Sequence, residues 1–565
     1  MAHWKYHPNI PAEIDIPNKS IHEIFFDSVD ECSDLPFLYF EGNTITYQEA
    51  GEKVQKLANA LKNLGLKKGD RIALFMPNCP QYVIGYMSIL SIGGIVTAIS
   101  PLYTAKEIKH QLKDSGSKAI LTLDMFLDKV REVREETNLE HVIASSIADE
   151  LSSLKGILYR LVIGRKNPKI QDDELSYSQL LKDSSDTRIS VKVNPKEDLA
   201  ALQYTGGTTG VPKGAMLTHH NLVSQMVILH YWEEWIGGPI PGVQRANMGA
   251  LPFSHIFGLT TAMLWPIYAG GSILLIPDPR KLEDVLKGIE KYNIQFFNAV
   301  PLLFQKLADH PKVGNYNLSS LRQCISGGCS LHPKVLEKFE EKTGATLVEG
   351  YGLSEASPVT HINPADRELR KINIGMPIPN TEAKIVDLES GEDLKEFSVK
   401  GDKTPAGELL IRGPQVMKGY WNRPEATNKV LTEDGWLRTG DVACMDKDGY
   451  FAIIDRLKDV IFTSGYQVWP LEVEEVLCNH PDISMAAVIP VTDDQGNELV
   501  KAVIVPENEE SKPSKEELRA FCKKNLAPYK VPRFFEYREE LPLSAVGKVL
   551  RRPLREEACM KVKQT

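Results

Sequence analysis

The densest cluster of residues able to do chemistry is YTGGTTGVPKG, residues 204 to 214, set between an apolar LAAL and a helix-like HHNLVSQMVILHYW. Thr205, Gly206, Gly207, Thr208, Thr209 and Gly210 carry little side-chain bulk, so successive backbone N–H groups can converge on an anion, and Lys213 adds a point charge. The segment therefore predicts a phosphate loop. Val211 and Pro212 stand between Gly210 and Lys213 and no GK[ST] follows, so this is not a Walker A loop. A plain surface turn is the competing reading, although turns seldom need this many Gly and Thr together. Four further segments follow: EGYGLSE (349–355), DGWLRTGD (434–441) with DGYFAIIDR after it, the connector DRLKD (455–459) and LPLSAVGKVLR (541–551). An aromatic face suits a purine, and a carboxylate suits a hard cation that carries phosphates. Taken singly these are weak signals, because most Asp and Arg are solvated surface groups.

In order and spacing, the five motifs resemble those of the adenylate-forming (AMP-binding) superfamily of acyl-CoA synthetases, luciferases and peptide-synthetase adenylation domains, over about residues 40 to 552. The resemblance implies that Tyr351, between Gly350 and Gly352 and near Leu353, stacks on adenine, that Ser354 touches the α-phosphate and that Glu355 holds Mg²⁺. It implies Asp441 and Arg456 on the ribose, Lys213 on the departing pyrophosphate, Lys458 as a hinge and Lys548 as the catalytic lysine, with Ser544 before its glycine turn. Ser464, Gly465 and Tyr466 stand where many members have SGG, so a tunnel for the CoA pantetheine would be bulkier here. The implied fold is α/β: a large N-terminal domain over residues 1–455, with two α/β sheets and a β-barrel-like subdomain, and a small mobile α+β C-terminal domain over 456–565.

Within that family the wording YTGGTTG, HIFG and DRLKDVI is closest to medium- and long-chain fatty acyl-CoA synthetases. LPFSHIFGL (251–259), NAVPLL (298–303) and SGGC (326–329) resemble the acyl-pocket walls, with His255 near the carboxylate, Phe257 behind it, and Val300, Gly327 and Gly328 around them. The glycine pair leaves room for a long apolar tunnel. The substrates expected are ATP with Mg²⁺, a carboxylic acid and coenzyme A, joined in an AMP-forming ligation. A short, hydroxylated or aromatic acid remains an alternative, as do loading of a carrier protein, a luciferase-like oxygenase and a nucleotide-binding scaffold without activity. No carrier sequence follows Lys548, which weighs against the second of these.

The rest of the chain must position these residues. Its 565 residues suit three to four folding units, and 42% hydrophobic with 25% charged residues is ordinary for a globular protein. A net charge of -9 argues against nucleic acid as a partner, since phosphate backbones are bound by surplus Lys and Arg. The eight cysteines form no CxxC pair or zinc-spaced cluster and read as reduced thiols of a cytoplasmic protein. The first 20 residues contain no export signal. Amphipathic runs such as EAGEKVQKLANALKNLGL (49–66) alternate with β-branched runs such as RIALFM (71–76), which is an α/β pattern. The uncharged stretch 82–105 is split by Gly93 and Gly94 and predicts helix, turn and strand rather than a membrane span. Residues 387–406 read as a hairpin or loop. Residues 150–175 mix Lys155, Arg160, Arg165, Lys166 and Lys169 with Leu, Ile and Val, and predict a surface insertion with an apolar helical face; a membrane-surface or partner-binding helix is the alternative, the former compatible with peripheral contact at the inner membrane face. A homodimer is compatible with all of this.

Overall fold

The computed structural model describes residues 6, 10–189, 191–205, 211–236, 240–366, 373–394, 402–463, 466–493, 498–508, 512–544 and 547–562. Two large sheets dominate the N-terminal part. The first has seven strands in the order Leu175–Ser176, His141–Ser145, Ala119–Leu123, Arg71–Phe75, Ile95–Ile99, Leu199–Thr205 and Lys213–Thr218. Its neighbours are parallel until the last pair, which is antiparallel. Parallel strands need crossovers, and the helices supply them. Helix Tyr47–Asn63 begins at Thr46, whose side chain accepts from the Glu49 N–H while the Glu49 carboxylate accepts from the Thr46 N–H at 2.8 Å. The uncharged stretch becomes helix Pro80–Ser91 and strand Ile95–Ile99, both buried throughout. Among the described residues no helix is long and apolar enough to cross a membrane.

The second sheet has nine strands: Met376–Pro377, Val359–Ile362, Thr346–Gly352, Gln323–Ser326, Phe296–Ala299, Ala246–Gly249, Ser272–Leu275, Pro36–Phe40 and Asn43–Thr46. Where a barrel-like unit was expected, the strands Glu382–Val386, Gly407–Arg412, Leu437–Met445 and Phe451–Arg456 form an antiparallel sheet whose first and last strands are its two edges. No closure joins those edges among the described residues.

The C-terminal part is α+β. Strands Ile483–Thr492, Glu498–Pro506 and Phe534–Tyr537 carry helices Pro470–Cys478, Lys515–Asn525 and Arg551–Val562, and Val473, Leu477, Val488, Ile504 and Leu518 close a separate core. The chain changes allegiance over a very short distance. Arg456 pairs with Asp441 of the four-stranded sheet, Nε to Oδ1 at 3.0 Å, whereas Asp459 is held by Arg551 and Arg555 of the last helix at 3.1 Å each. The two attachments overlap, because Asp455 Oδ2 already accepts from the Leu471 N–H of the C-terminal part at 2.7 Å; Leu457 and Lys458 lie between Arg456 and Asp459 in a single 3₁₀ turn.

Candidate active site

Strands Phe296–Ala299, Gln323–Ser326 and Thr346–Gly352 are parallel neighbours. Their carboxyl ends therefore reach one edge of the sheet together, where ligands of open α/β sheets bind. That topology gathers Val300, Gly327 and the Tyr351–Glu355 segment, which are remote in sequence.

On one side of this edge the Tyr351 phenol donates to Asp441 Oδ2 at 2.6 Å, while Arg456 takes Oδ1. Asp441 and Arg456 are direct partners on adjacent strands, and Asp441 is 3% exposed. A buried carboxylate flanked by an aromatic ring and a guanidinium is equipped to accept from the vicinal hydroxyls of a sugar. Gly352 is required by a close approach: a Cβ there would lie 2.1 Å from the Pro358 carbonyl oxygen. Leu353 N–H donates to that same oxygen at 3.0 Å, which sets Ser354 and Glu355 into a single turn, Ser354–Ala356.

Glu355 does not stand alone. The Tyr420 phenol donates to its Oε1 at 2.6 Å, and Lys213 Nζ lies 4.8 Å from the centroid of the Tyr420 ring. Tyr420 is a neighbour of the candidate site that the motifs do not reveal; it comes from the segment that pairs with Ala215 and Gly214 across the chain. Thr205 is the register partner of Lys213, so the two ends of the phosphate loop are closed into a hairpin. Gly206, Gly207, Thr208, Thr209 and Gly210 lie outside the described residues, as do Ser464 and Gly465. No group of three or more metal-ligating side chains occurs among the described residues. Glu355, with one oxygen occupied, fits a Mg²⁺ ion that arrives with a triphosphate better than a dedicated cage.

Lys548 is presented by a tight turn in which Ser544 Oγ accepts from the Lys548 N–H at 3.0 Å and the Lys548 carbonyl accepts from the Ser544 N–H at 2.8 Å. The turn sits against the edge of the large sheet: a Cβ on Gly547 would lie 3.5 Å from Val300 Cγ2. Burial in the cleft, with the Arg456 guanidinium adding to it, brings the Lys548 ammonium down to about 8, while Asp441 and Cys329 pull the other way. His255 starts a helical turn and its Nδ1 accepts from the Phe257 N–H at 3.3 Å, which leaves Nε2 as the protonated nitrogen of the neutral ring. Burial and then the Lys548 charge push His255 down to about 4, so the ring is neutral at physiological pH. Cys329 opens to the cleft solvent yet is crowded by its walls, which raise its thiol to about 11 against the pull of Lys548.

The expected acyl residues stand at the head of three rows of side chains. Gly327 is buried beneath Phe257, whose Cζ would be 3.0 Å from an added Cβ. Gly328 differs: it is exposed with φ +89°, and serves the turn rather than the wall. Three rows run inward from the mouth: Phe257, Thr261 and Trp265 along a helix that contains a π-helical stretch, Leu259–Leu264; Val300, Asn298 and Phe296 on one strand; Gly327, Ile325 and Gln323 on the next. The strand residues are spaced by two and so share a face. At the inner end the rows enclose a void of about 20 Å³, on the order of one water molecule, completed by Leu229, Trp232 and Glu233. Glu233 is paired with Arg245 at 2.9 Å. Tyr466 is committed elsewhere, stacked on Tyr529 at 4.4 Å within the C-terminal part.

Known proteins match this chain along its whole length. A family model for AMP-binding enzymes matches residues 25–421, and one for the AMP-binding enzyme C-terminal domain matches residues 472–548. A long-chain-fatty-acid–CoA ligase of Bacillus subtilis is 41% identical over 98% of this chain and 97% of its own. One from Escherichia coli O157:H7 is 40% identical over 99% and 98%. The crystal structure of the anthranilate CoA ligase AuaEII in complex with anthranoyl-AMP superposes with a TM-score of 0.83 at 25% identity, covering 97% of this chain and 99% of that one. With a buried carboxylate and tyrosine on one side of the sheet edge, a lysine turn over it, and these matches along the chain, the protein belongs to the AMP-binding enzyme family and is an AMP-forming acyl-CoA ligase.

Proposed function

We propose that the acid activated is a medium- to long-chain fatty acid. The observation that carries this reading is the set of three rows, which descend four residues of strand from Gly327 to Gln323, about 13 Å at the rise of a β-strand, with Phe257, Ile325, Phe296 and Trp265 as apolar members that an acyl chain would part. Two of the relatives named above, those of Bacillus subtilis and Escherichia coli O157:H7, are long-chain-fatty-acid–CoA ligases, which supports that reading.

A carboxylate is a poor acyl donor, since its charge repels nucleophiles and oxide is a hopeless leaving group. In the first half-reaction the acid's carboxylate attacks the α-phosphorus of ATP, the anhydride bond forms and pyrophosphate leaves. Lys548 bridges the carboxylate and the α-phosphate, His255 offers its Nε2–H to the acid, and Lys213 with Ser354 steadies the phosphates. Tyr351 faces the adenine while Asp441 and Arg456 hold the ribose. Glu355 would hold a Mg²⁺ ion arriving with the triphosphate, which would supply charge neutralisation for the departing pyrophosphate. In the second half-reaction the CoA thiolate attacks the acyl carbonyl and AMP leaves. For this the C-terminal domain, divided from residues 1–455 at the turn that holds Lys458, withdraws Lys548 and presents Ser464, Gly465 and Tyr466. Peripheral contact with a membrane face and a homodimer belong to the same reading.

The inner end of the rows also carries Asn298, Gln323 and the Glu233–Arg245 pair, and these favour a hydroxylated chain end as the second reading. AMP release by the purified protein with ATP, Mg²⁺ and a panel of acids, with and without CoA, tests both. Octanoate and longer acids should exceed acetate and coumarate in kcat/KM. Acetate or coumarate in the lead would end the fatty-acid reading, and an ω-hydroxy acid preferred over its parent would install the second.

A further inference from the structure

In the chain, helix Ser153–Val162 follows strand His141–Ser145 and precedes the edge strand Leu175–Ser176 of the first sheet, and its orientation is the reverse of a core helix. Leu154, Ile157, Leu158, Leu161 and Val162 recur at the spacing of one helical face, yet they are 50 to 81% exposed, and Ile163 beyond them is 51% exposed. The face turned to the protein is made of other residues. Gly156 is buried, and a Cβ there would meet the Ala148 carbonyl oxygen at 3.0 Å. Lys155 Nζ donates to the Glu41 carbonyl at 2.6 Å and Arg160 pairs with Asp149 at 2.8 Å. The helix is thus pinned by its polar side with its aliphatic side outward. Monomeric proteins rarely expose a contiguous aliphatic face of this kind without a partner for it.

The charge around the stripe says which partner. Arg165, Lys166 and Lys169 follow directly, all exposed, and none pairs with a carboxylate among the described residues. They sit on a chain whose net charge is -9, so this local positive field runs against the balance of the whole molecule. An aliphatic face bordered by cations complements a surface that is apolar within and anionic at its rim, which is the cross-section of an anionic lipid bilayer. We propose that helix Ser153–Val162 and the basic turn after it form a peripheral docking surface for anionic lipid. The stripe enters the boundary between headgroups and acyl chains, and Arg165, Lys166 and Lys169 meet the headgroup charge. The proposal does not depend on which acid is activated.

The test is flotation of the purified full-length protein with vesicles of phosphatidylcholine alone and with about one third phosphatidylglycerol, alongside kcat/KM for a freely soluble acid. The wild type should float with the anionic vesicles and lose binding as salt is raised. Arg165→Glu with Lys166→Glu should reduce vesicle affinity by at least twentyfold, at about fivefold per cation lost. Leu158→Ser with Leu161→Ser should abolish binding. Both pairs should leave activity on the soluble acid and the melting temperature unchanged, since every substituted side chain is exposed. As a direct readout, Ile157→Cys carrying an environment-sensitive dye should shift to the blue on addition of anionic vesicles only. Equal flotation of wild type and variants, or an unshifted dye, would overturn the proposal. So would a concentration-dependent dimer that the serine pair dissolves without any vesicle binding, because the stripe would then be covered by a second copy of the chain.

Discussion

The phenol of Tyr420 donates to the Glu355 carboxylate at 2.6 Å, and the same ring underlies the Lys213 ammonium. One side chain therefore orients both charges assigned to the phosphates. Tyr420→Phe keeps the ring beneath Lys213 and removes only the hydrogen bond. A bond to a charged group contributes about 1.5 to 3 kcal/mol, so kcat/KM for Mg·ATP should fall by at least tenfold while KM for the acid stays put. Pyrophosphate exchange measures this, and an equal change in both substrates would show that Tyr420 merely supports the fold.

Lys548, brought down to about 8, is charged below that pH and neutral above it. The rate of adenylate formation in the free enzyme should fall as pH rises through about 8. Stability should move the other way: the folded pKa lies below the unfolded value of about 10.4, so the folded state binds fewer protons between the two, and stability rises with pH across that window. Opposite slopes in pyrophosphate exchange and in Tm distinguish titration of Lys548 from alkaline unfolding. Lys548→Ala should lose about 10² to 10³ in adenylate formation, as for one electrostatic stabiliser removed, and retain thioester formation from a preformed acyl-adenylate. Equal losses in both halves would refute the role.

The three rows predict a ladder of rates. Each added CH₂ should gain up to about 0.8 kcal/mol, roughly fourfold in kcat/KM, until the inner end is reached. Gly327→Ala places a methyl 3.0 Å from the Phe257 ring and should depress long acids at the mouth with KM for ATP unchanged. Trp265→Ala should move the plateau to longer acids. Gly328→Leu is a poor probe, because φ +89° would be strained by any side chain. A plateau indifferent to Trp265 would show that the chain takes another route.

Lys458→Pro should spare the adenylate step and block transfer to CoA, since proline fixes φ near -65° and this turn is where a rotation must be absorbed. Single-turnover thioester formation from isolated acyl-adenylate reads it directly. Wild-type thioester yield would place the rotation elsewhere.

Much of the site was legible because its residues cluster in short motifs whose spacing is set locally. Gly352 in EGYGLSE answers to one carbonyl, that of Pro358, six residues on. Asp441 and Arg456 were legible by spacing, and the structure adds that they are direct cross-strand partners. Tyr420 was not legible, because its partner Glu355 is 65 residues away and the two meet only through packing between sheets. The glycine pair 327–328 looked like one feature; backbone conformation divides it into a wall and a turn. The apolar pattern of residues 150–175 was visible, but periodicity reports that a helix has a face, not which way it points. Likewise the four short strands of residues 382–456 did not disclose whether their edges meet, which depends on twist and strand number rather than on local pattern.

The strand Phe451–Arg456 ends on the residue that salt-bridges Asp441, and the connecting turn begins at the next residue. In mechanical terms the rotor and the nucleotide clamp share an axle. The strand is tied to both parts: Arg456 holds Asp441 of the four-stranded sheet, while its neighbour Asp455 accepts from the Leu471 N–H of the C-terminal part at 2.7 Å. Any swing of the C-terminal part must therefore break or carry the Asp455–Leu471 bond, one residue from the pair assigned to the nucleotide. A nucleotide on Asp441 and Arg456 would then load the same strand that bears the joint between the two parts.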